Sequence, residues 1–134
     1  DNFKIAKKID ADGCHLGQTD GSIIKARLAL KNKILGVTCH GSKELCMIAK
    51  KNNADYIALG AFNSTNTKKI KHKATINHLK KFRKLTNKPI IAIGGINQHN
   101  YKKLLLNKAN LLAISGYIWK NKKLKPLDAI KKFK

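Results

Sequence analysis

A chain of 134 residues suits one domain and buries roughly two-thirds of its unfolded surface, enough for a real core. No stretch approaches the roughly 20 apolar residues of a membrane span and no early apolar run reads as a signal peptide, so a cytoplasmic chain without membrane contact is expected. The formal charge of +22 would ordinarily raise nucleic acid as a partner, but 27 lysines against 2 arginines, with 13 asparagines and 16 isoleucines, reads as the codon bias of an AT-rich genome. Base readout favours the planar arginine fork, and the aromatic residues are not interleaved with the lysines as a stacking platform requires. Cys14, Cys39 and Cys46 are odd in number and lack a C-x-x-C or metal spacing, so they read as small core residues in a reducing compartment, with no zinc. Asp1 as first residue and Met47 as the sole methionine are expected of a processed product or a fragment.

In chain order, Asp1 to Ile9 offers a partial helical face, a helix whose preceding strand is expected to be missing. Cys14 to Gly17 is a brief strand, and Gln18 to Ser22 a loop that caps a helix carrying Ile23, Ile24, Arg27, Leu28 and Leu30. Ile34 to Cys39 is a strand ending in Thr38, followed by a helix with Ser42 as its N-cap and Leu45, Ile48 and Ala49 at helical spacing. Tyr56 to Gly60 is a short buried strand opening into a polar, cationic loop, Ala61 to Lys69. Thr75 opens a helix with Ile76, Leu79, Phe82 and Leu85 on one side, and Pro89 to Ile93 is the most apolar strand. Asn97 is expected to cap the helix of Tyr101, Leu104 and Leu105; Leu111 to Ile114 is the last strand, and Pro126 begins a closing helix with Leu127, Ile130 and Phe133. A helix followed by five strand-helix units specifies a parallel α/β sheet, and no internal repeat shows beyond that rhythm.

In such folds the loops after the strands share one face. Those positions carry Asp20, Thr38, Thr65 to Lys69, Gly94-Gly95 and Ser115-Gly116. Thr65 and Thr67 can donate hydrogen bonds to phosphate oxygens while Lys68 supplies charge; the competing explanation is a solvated basic loop. Gly94 and Gly95 let a phosphate approach the backbone and Ser115 adds a hydroxyl, against the alternative of two tight turns. Asp20 suits Mg²⁺, which uses one or two carboxylates beside substrate phosphates, or else it caps a helix. His15 reads as packed or solvated, and none of the histidines is assigned to catalysis.

These residues resemble the thiamine phosphate synthase family. Asp12 to Asp20 (DGCHLGQTD) is similar to its DGVHLGQxD, and Leu35 to His40 (LGVTCH) to its (I/L)GVSxH. Ala54 to Gly60 with Thr65 to Lys68 resembles ADYIGxG followed by TxTK, and Ile91 to Ile96 with Ala113 to Ser115 completes the order. The resemblance covers essentially the whole chain. It implies the C-terminal five units of a (β/α)₈ barrel, incomplete as given, spanning residues 1–134, with three strands expected upstream. It implies a transferase joining hydroxymethylpyrimidine diphosphate to a thiazole phosphate with release of pyrophosphate. By position, Asp1 and Asp20 match the Mg²⁺ ligands, and Thr38 and Lys68 the pyrimidine diphosphate contacts that carry catalysis. Thr65, Asn66 and Thr67 match the thiazole loop; Gly95, Ile114 and Ser115 match the thiazole phosphate site. The chain departs from the pattern at Thr38, where the family has Ser, and at Ala61 and Ser64, where prolines are common. The upstream Gln-x-Arg-x-Lys segment is absent.

The implied partners are these small-molecule phosphates, drawn by the lysines around Lys68. A homo-oligomer is open, since another chain could cap the edge strands. The alternatives are a thiazole tautomerase-like isomerase and an inactive basic remnant that binds polyanions.

Overall fold

The computed structural model describes residues 1–65 and 72–134. Five parallel strands form one sheet in chain order: β1 (Gly13–Leu16), β2 (Ile34–His40), β3 (Tyr56–Leu59), β4 (Ile90–Ile93) and β5 (Leu111–Ala113). α1 (Phe3–Lys8) precedes β1; α2 (Ile23–Leu30), α3 (Lys43–Lys51), α4 (Ile76–Leu85) and α5 (Tyr101–Leu106) make the crossovers; α6 (Gly116–Trp119) and α7 (Pro126–Ile130) follow β5. The strand order never reverses, so the sheet has no switch point of the doubly wound kind and follows the sequential order of a barrel wall. Among the described residues no helix is long and apolar enough to cross a membrane.

The helix starts follow from capping chemistry. Ser22 Oγ accepts the Lys25 N–H at 3.3 Å and Ser42 Oγ accepts the Leu45 N–H at 3.2 Å. Three local expectations change. Asn100 takes the cap position of α5, because Asn97 is spent in a turn in which its Oδ1 accepts the His99 N–H. β2 runs on past Thr38 to His40, with an irregularity against β3 between those residues. A short helix, α6, lies between β5 and α7.

Residues alternate across the strands. Leu35, Val37, Cys39, Ile57, Leu59, Ile90 and Ala92 are buried under the helices, packed with Cys46, Ala49, Leu79 and Phe82. Burial pushes the Cys39 thiol up to about 12, consistent with an inert core residue. The alternate set faces the other way and is more open: Ile34 is 53% exposed, Ile93 42% and Leu111 56%. Helix faces differ from the apolar stripes read in the sequence. α2 buries Ala26 and Leu30 while Leu28 is 73% exposed, and α7 buries Ala129 while Leu127 and Ile130 are exposed. Alanine at the contact lets each helix approach closely, which turns the larger side chains outward. Phe133 packs edge-on against Tyr101 and Tyr117, with ring centroids 5.1 and 5.4 Å away.

The two arginines perform one task twice at the amino ends of the strands. Arg27 donates to the carbonyls of Lys31 (2.6 Å), Lys33 (2.8 Å) and Asn53 (2.7 Å) and to Asp55 Oδ2 (2.6 Å). Arg83 donates to the carbonyls of Thr86 and Lys88 and to Asn110 Oδ1. Asp55 in turn brackets Leu35: its carboxylate accepts the Leu35 N–H and its own N–H donates to the Leu35 carbonyl, both at 2.8 Å. Asn110 brackets Ile90 in the same way, at 2.9 and 2.8 Å. The repeat that sequence comparison along the chain does not show is thus a repeated clamp. Burial works to raise the Asp55 carboxyl, but the hydrogen bonds from Leu35 and Arg27 and the charges of Arg27 and Lys88 outweigh it and hold it below the usual carboxylate range. A lysine has neither the fork nor the reach for several acceptors. Arg27→Lys and Arg83→Lys are each expected to cost about 1–3 kcal/mol. Because the clamps are separate, the double variant should lose close to the sum in denaturant unfolding; no loss in either single variant would show the clamps to be idle.

Candidate active site

The site is built on one layer of the sheet. His15, Gly36 and Tyr56 are register partners across β1, β2 and β3, so their side chains share a face. Gly36 is where the chain needs glycine: a Cβ there would lie 1.9 Å from Tyr56 Cζ. The phenol crosses that gap and reaches β1, where its hydroxyl lies 3.0 Å from His15 Nδ1 with the rings stacked at 5.5 Å. His15 Nε2 lies 2.8 Å from Thr38 Oγ1, and the Gln18 side-chain amide donates to the Thr38 carbonyl.

Thr38 is therefore held from both sides. A neutral imidazole has one donor and one acceptor nitrogen, so the Tyr56–His15–Thr38 chain orients the threonine hydroxyl. Burial, then the positive charge of the Asp1 amino group, lowers the His15 pKa, while Asp20 pulls it back up. Burial raises that of Tyr56. His15, which sequence reasoning leaves unassigned, is the side chain that joins Tyr56 to Thr38. Its signal is the even spacing of Gly36 and Thr38 on β2, which becomes informative once the register with β1 and β3 is known.

The remaining expected residues distribute along the same strand ends. Asp20 closes a turn after β1, its Oδ2 accepting the Gly17 N–H at 2.7 Å; Ser22, not Asp20, caps α2. Asp1 is exposed, and its amino group and the Asp20 carboxylate both act on His15. Gly94 and Gly95 have φ of 100° and 61° and turn their side-chain-free faces against the loop after β3. A Cβ on Gly94 would meet Ala61 at 2.4 Å, and one on Gly95 would meet the Ser64 carbonyl at 2.3 Å. The absent side chains thus admit the loop that leads to Thr65, which is partly buried. Ser115 stands at the start of α6, its carbonyl accepting the Trp119 N–H at 2.9 Å, and Ile114 packs its side chain on the core. Asn66, Thr67 and Lys68 lie outside the described residues.

A family model described as thiamine monophosphate synthase matches residues 1–118. The chain belongs to this family. It is similar to the thiamine-phosphate synthase of Pelagibacter ubique, at 61% identity over the whole chain and 65% of that protein. It is 41% identical to the thiamine-phosphate synthase of Erythrobacter litoralis over 89% of the chain and 57% of that protein. A thiamine phosphate pyrophosphorylase from Pyrococcus furiosus superposes on 99% of the chain and 62% of its own length, with a TM-score of 0.86 at 27% identity. The chain thus spans under two-thirds of the length of each of these family relatives.

Two outcomes follow from the layer. Gly36→Ala should lower stability by about 1–3 kcal/mol through overpacking against Tyr56, and the near-ultraviolet signal of the tyrosines should change; an unperturbed variant would mean that Tyr56 does not cross Gly36. Burial first of all also lowers the His40 pKa. With His15 and His40 both titrating below 6.5 when folded, the unfolded chain binds more protons as pH falls through that value. Stability should accordingly be higher at pH about 7.5 than at about 5.5; a denaturation midpoint that rises on acidification would contradict this.

Proposed function

We propose that the protein containing this segment is a thiamine phosphate synthase, a transferase that joins hydroxymethylpyrimidine diphosphate to a thiazole phosphate and releases pyrophosphate. The observation that carries the reading is the oriented Thr38 hydroxyl, bound by His15, at the position where the family places a pyrimidine diphosphate contact. Lys68 supplies the ammonium partner for the diphosphate. Thr65, Asn66 and Thr67 hold the thiazole, and Gly95, Ile114 and Ser115 hold its phosphate, with the packing of Gly95 on Ser64 bringing the two loops together. The reaction needs no protein nucleophile: it is driven by positioning and by cationic groups at the departing pyrophosphate.

Asp20 fits Mg²⁺, because the Gly17 N–H orients its carboxylate without neutralising it. Among the described residues no three His, Cys, Asp or Glu side chains converge, in keeping with an ion that takes one or two carboxylates, here Asp20 with Asp1, and fills its shell with phosphate oxygens and water. When bound, the ion would neutralise charge on the diphosphate. We read residues 1–134 as one domain, the C-terminal five units of a (β/α)₈ barrel. The open face at Ile34, Ile93 and Leu111 supports further units supplied elsewhere in the protein, and a small-molecule enzyme of this kind suits the cytoplasm.

The full-length protein is expected to release pyrophosphate from the two substrates in the presence of Mg²⁺. Asp20→Ala and Lys68→Ala should each lower the rate by about 10²–10³, and Thr38→Ser should retain most of it. Isomerisation of the thiazole without pyrophosphate release, surviving Asp20→Ala, would move the assignment to a tautomerase. Equal affinity for inorganic phosphate and thiazole phosphate, weakening alike with salt, would instead mark a basic remnant.

A further inference from the structure

Past Thr38 the chain turns through His40 and Gly41 into α3, and a cleft of about 500 Å³ opens there. His40, Ser42, His72, Lys73 and His78 line it, with Gln18 at its border. Gln18 also donates to the Thr38 carbonyl, so the cleft adjoins the site described above. None of the three histidines was given a role by the sequence.

Each of the three residues is tied to neighbouring backbone. His40 has a φ of 52°, and the Gly60 N–H donates to its main-chain carbonyl at 3.3 Å. The His72 carbonyl accepts the Ala61 N–H at 3.1 Å, and the His72 ring lies on His40 with centroids 4.4 Å apart. His78 Nδ1 accepts the Thr75 N–H at 2.9 Å, which leaves the proton of the neutral ring on Nε2. That ring rests on Gly41, where a Cβ would stand 3.0 Å from its Cε1.

Imidazoles serve two classes of ligand. A transition metal needs several to converge on one point, and among the described residues no group of three His, Cys, Asp or Glu does so. A polyatomic anion instead needs donors and positive charge spread around its oxygens, the arrangement found here. We infer that this cleft is an anion subsite, taking a phosphate or diphosphate group between the His40–His72 pair, the Nε2–H of His78 and the Lys73 ammonium.

Among the described residues the titratable side chains lining the cleft are His40, His72, Lys73 and His78, and the nearest carboxylate in sequence belongs to Glu44. Glu44, in the first turn of α3, accepts the Ser42 hydroxyl at 2.6 Å, so that hydroxyl is already used. Burial, then the charge of His72, disfavours protonation of His40; an anion against its ring offsets that penalty and draws a proton onto His40. Affinity should therefore fall as pH rises through the histidine range. His78 contributes through Nε2, since its Nδ1 accepts the Thr75 N–H.

The inference stands apart from the synthase assignment, and its test excludes Mg²⁺. Inorganic pyrophosphate is titrated into the protein in EDTA while the histidine Hε1 signals are followed. Saturable movement of His40 and His72 at about pH 6 with His99 unmoved, affinity about tenfold weaker at about pH 8, and about tenfold weaker binding by His72→Ala are expected. Unsaturable shifts shared by His99 would reduce the effect to general charge attraction and overturn the subsite, as would binding indifferent to pH. The wild-type titration decides this even if the variant is perturbed.

Discussion

Strand register is the constraint on which the site depends. A one-residue slip of β3 against β2 would carry Tyr56 off Gly36 and turn its side chain to the helix face. The His15 bond to Tyr56 would be lost, and with it one support for the Thr38 hydroxyl. The register is held at the amino end of the same strands, where Asp55 engages both backbone groups of Leu35 and Arg27 locks Asp55 to the carbonyls around it. The second clamp, from Arg83 through Asn110 to Ile90, does the same between β4 and β5. The clamps thus gather at one end of the sheet and the candidate site at the other, the division described for barrel folds.

The cation composition follows that division. Lysine covers the surface, where a solvated ammonium suffices. The two arginines sit where a single side chain must satisfy three or four acceptors. A drift toward lysine that spares these two positions is intelligible from hydrogen-bond geometry alone. The excess charge also bears on function, because both proposed substrates and the product are anions.

Much of the fold was legible because it rests on local signals. Apolar runs marked β3 and β4, Ser42 marked the start of α3, and Pro126 that of α7. Parallel alternation then sent Asp20, Thr38, Thr65, Gly95 and Ser115 to the same end of the sheet. What was illegible depends on pairings far apart in sequence. Nothing near His15 announces that a tyrosine 41 residues away will cross a glycine on the intervening strand to meet it. The packing faces of α2 and α7 are set by the small residues Ala26 and Ala129, which carry little hydrophobic signal, and Leu28 and Leu127 are left exposed. Gly94 and Gly95 showed the need for glycine but not its cause, which lies in the loop at Ala61 to Ser64.

That contact also brings the two strand-end loops of the proposed thiazole half-site against each other at Ala61 to Ser64. Backbone amide shifts during titration of the chain with thiazole phosphate test this most directly. Saturable shifts at Gly95 and Ser115, with Asn110 at the opposite end of the sheet unmoved and inorganic phosphate far weaker, are the expected result. Shifts confined to lysine-rich surfaces, or the same response to inorganic phosphate, would contradict the assignment of a thiazole phosphate site to these strand ends.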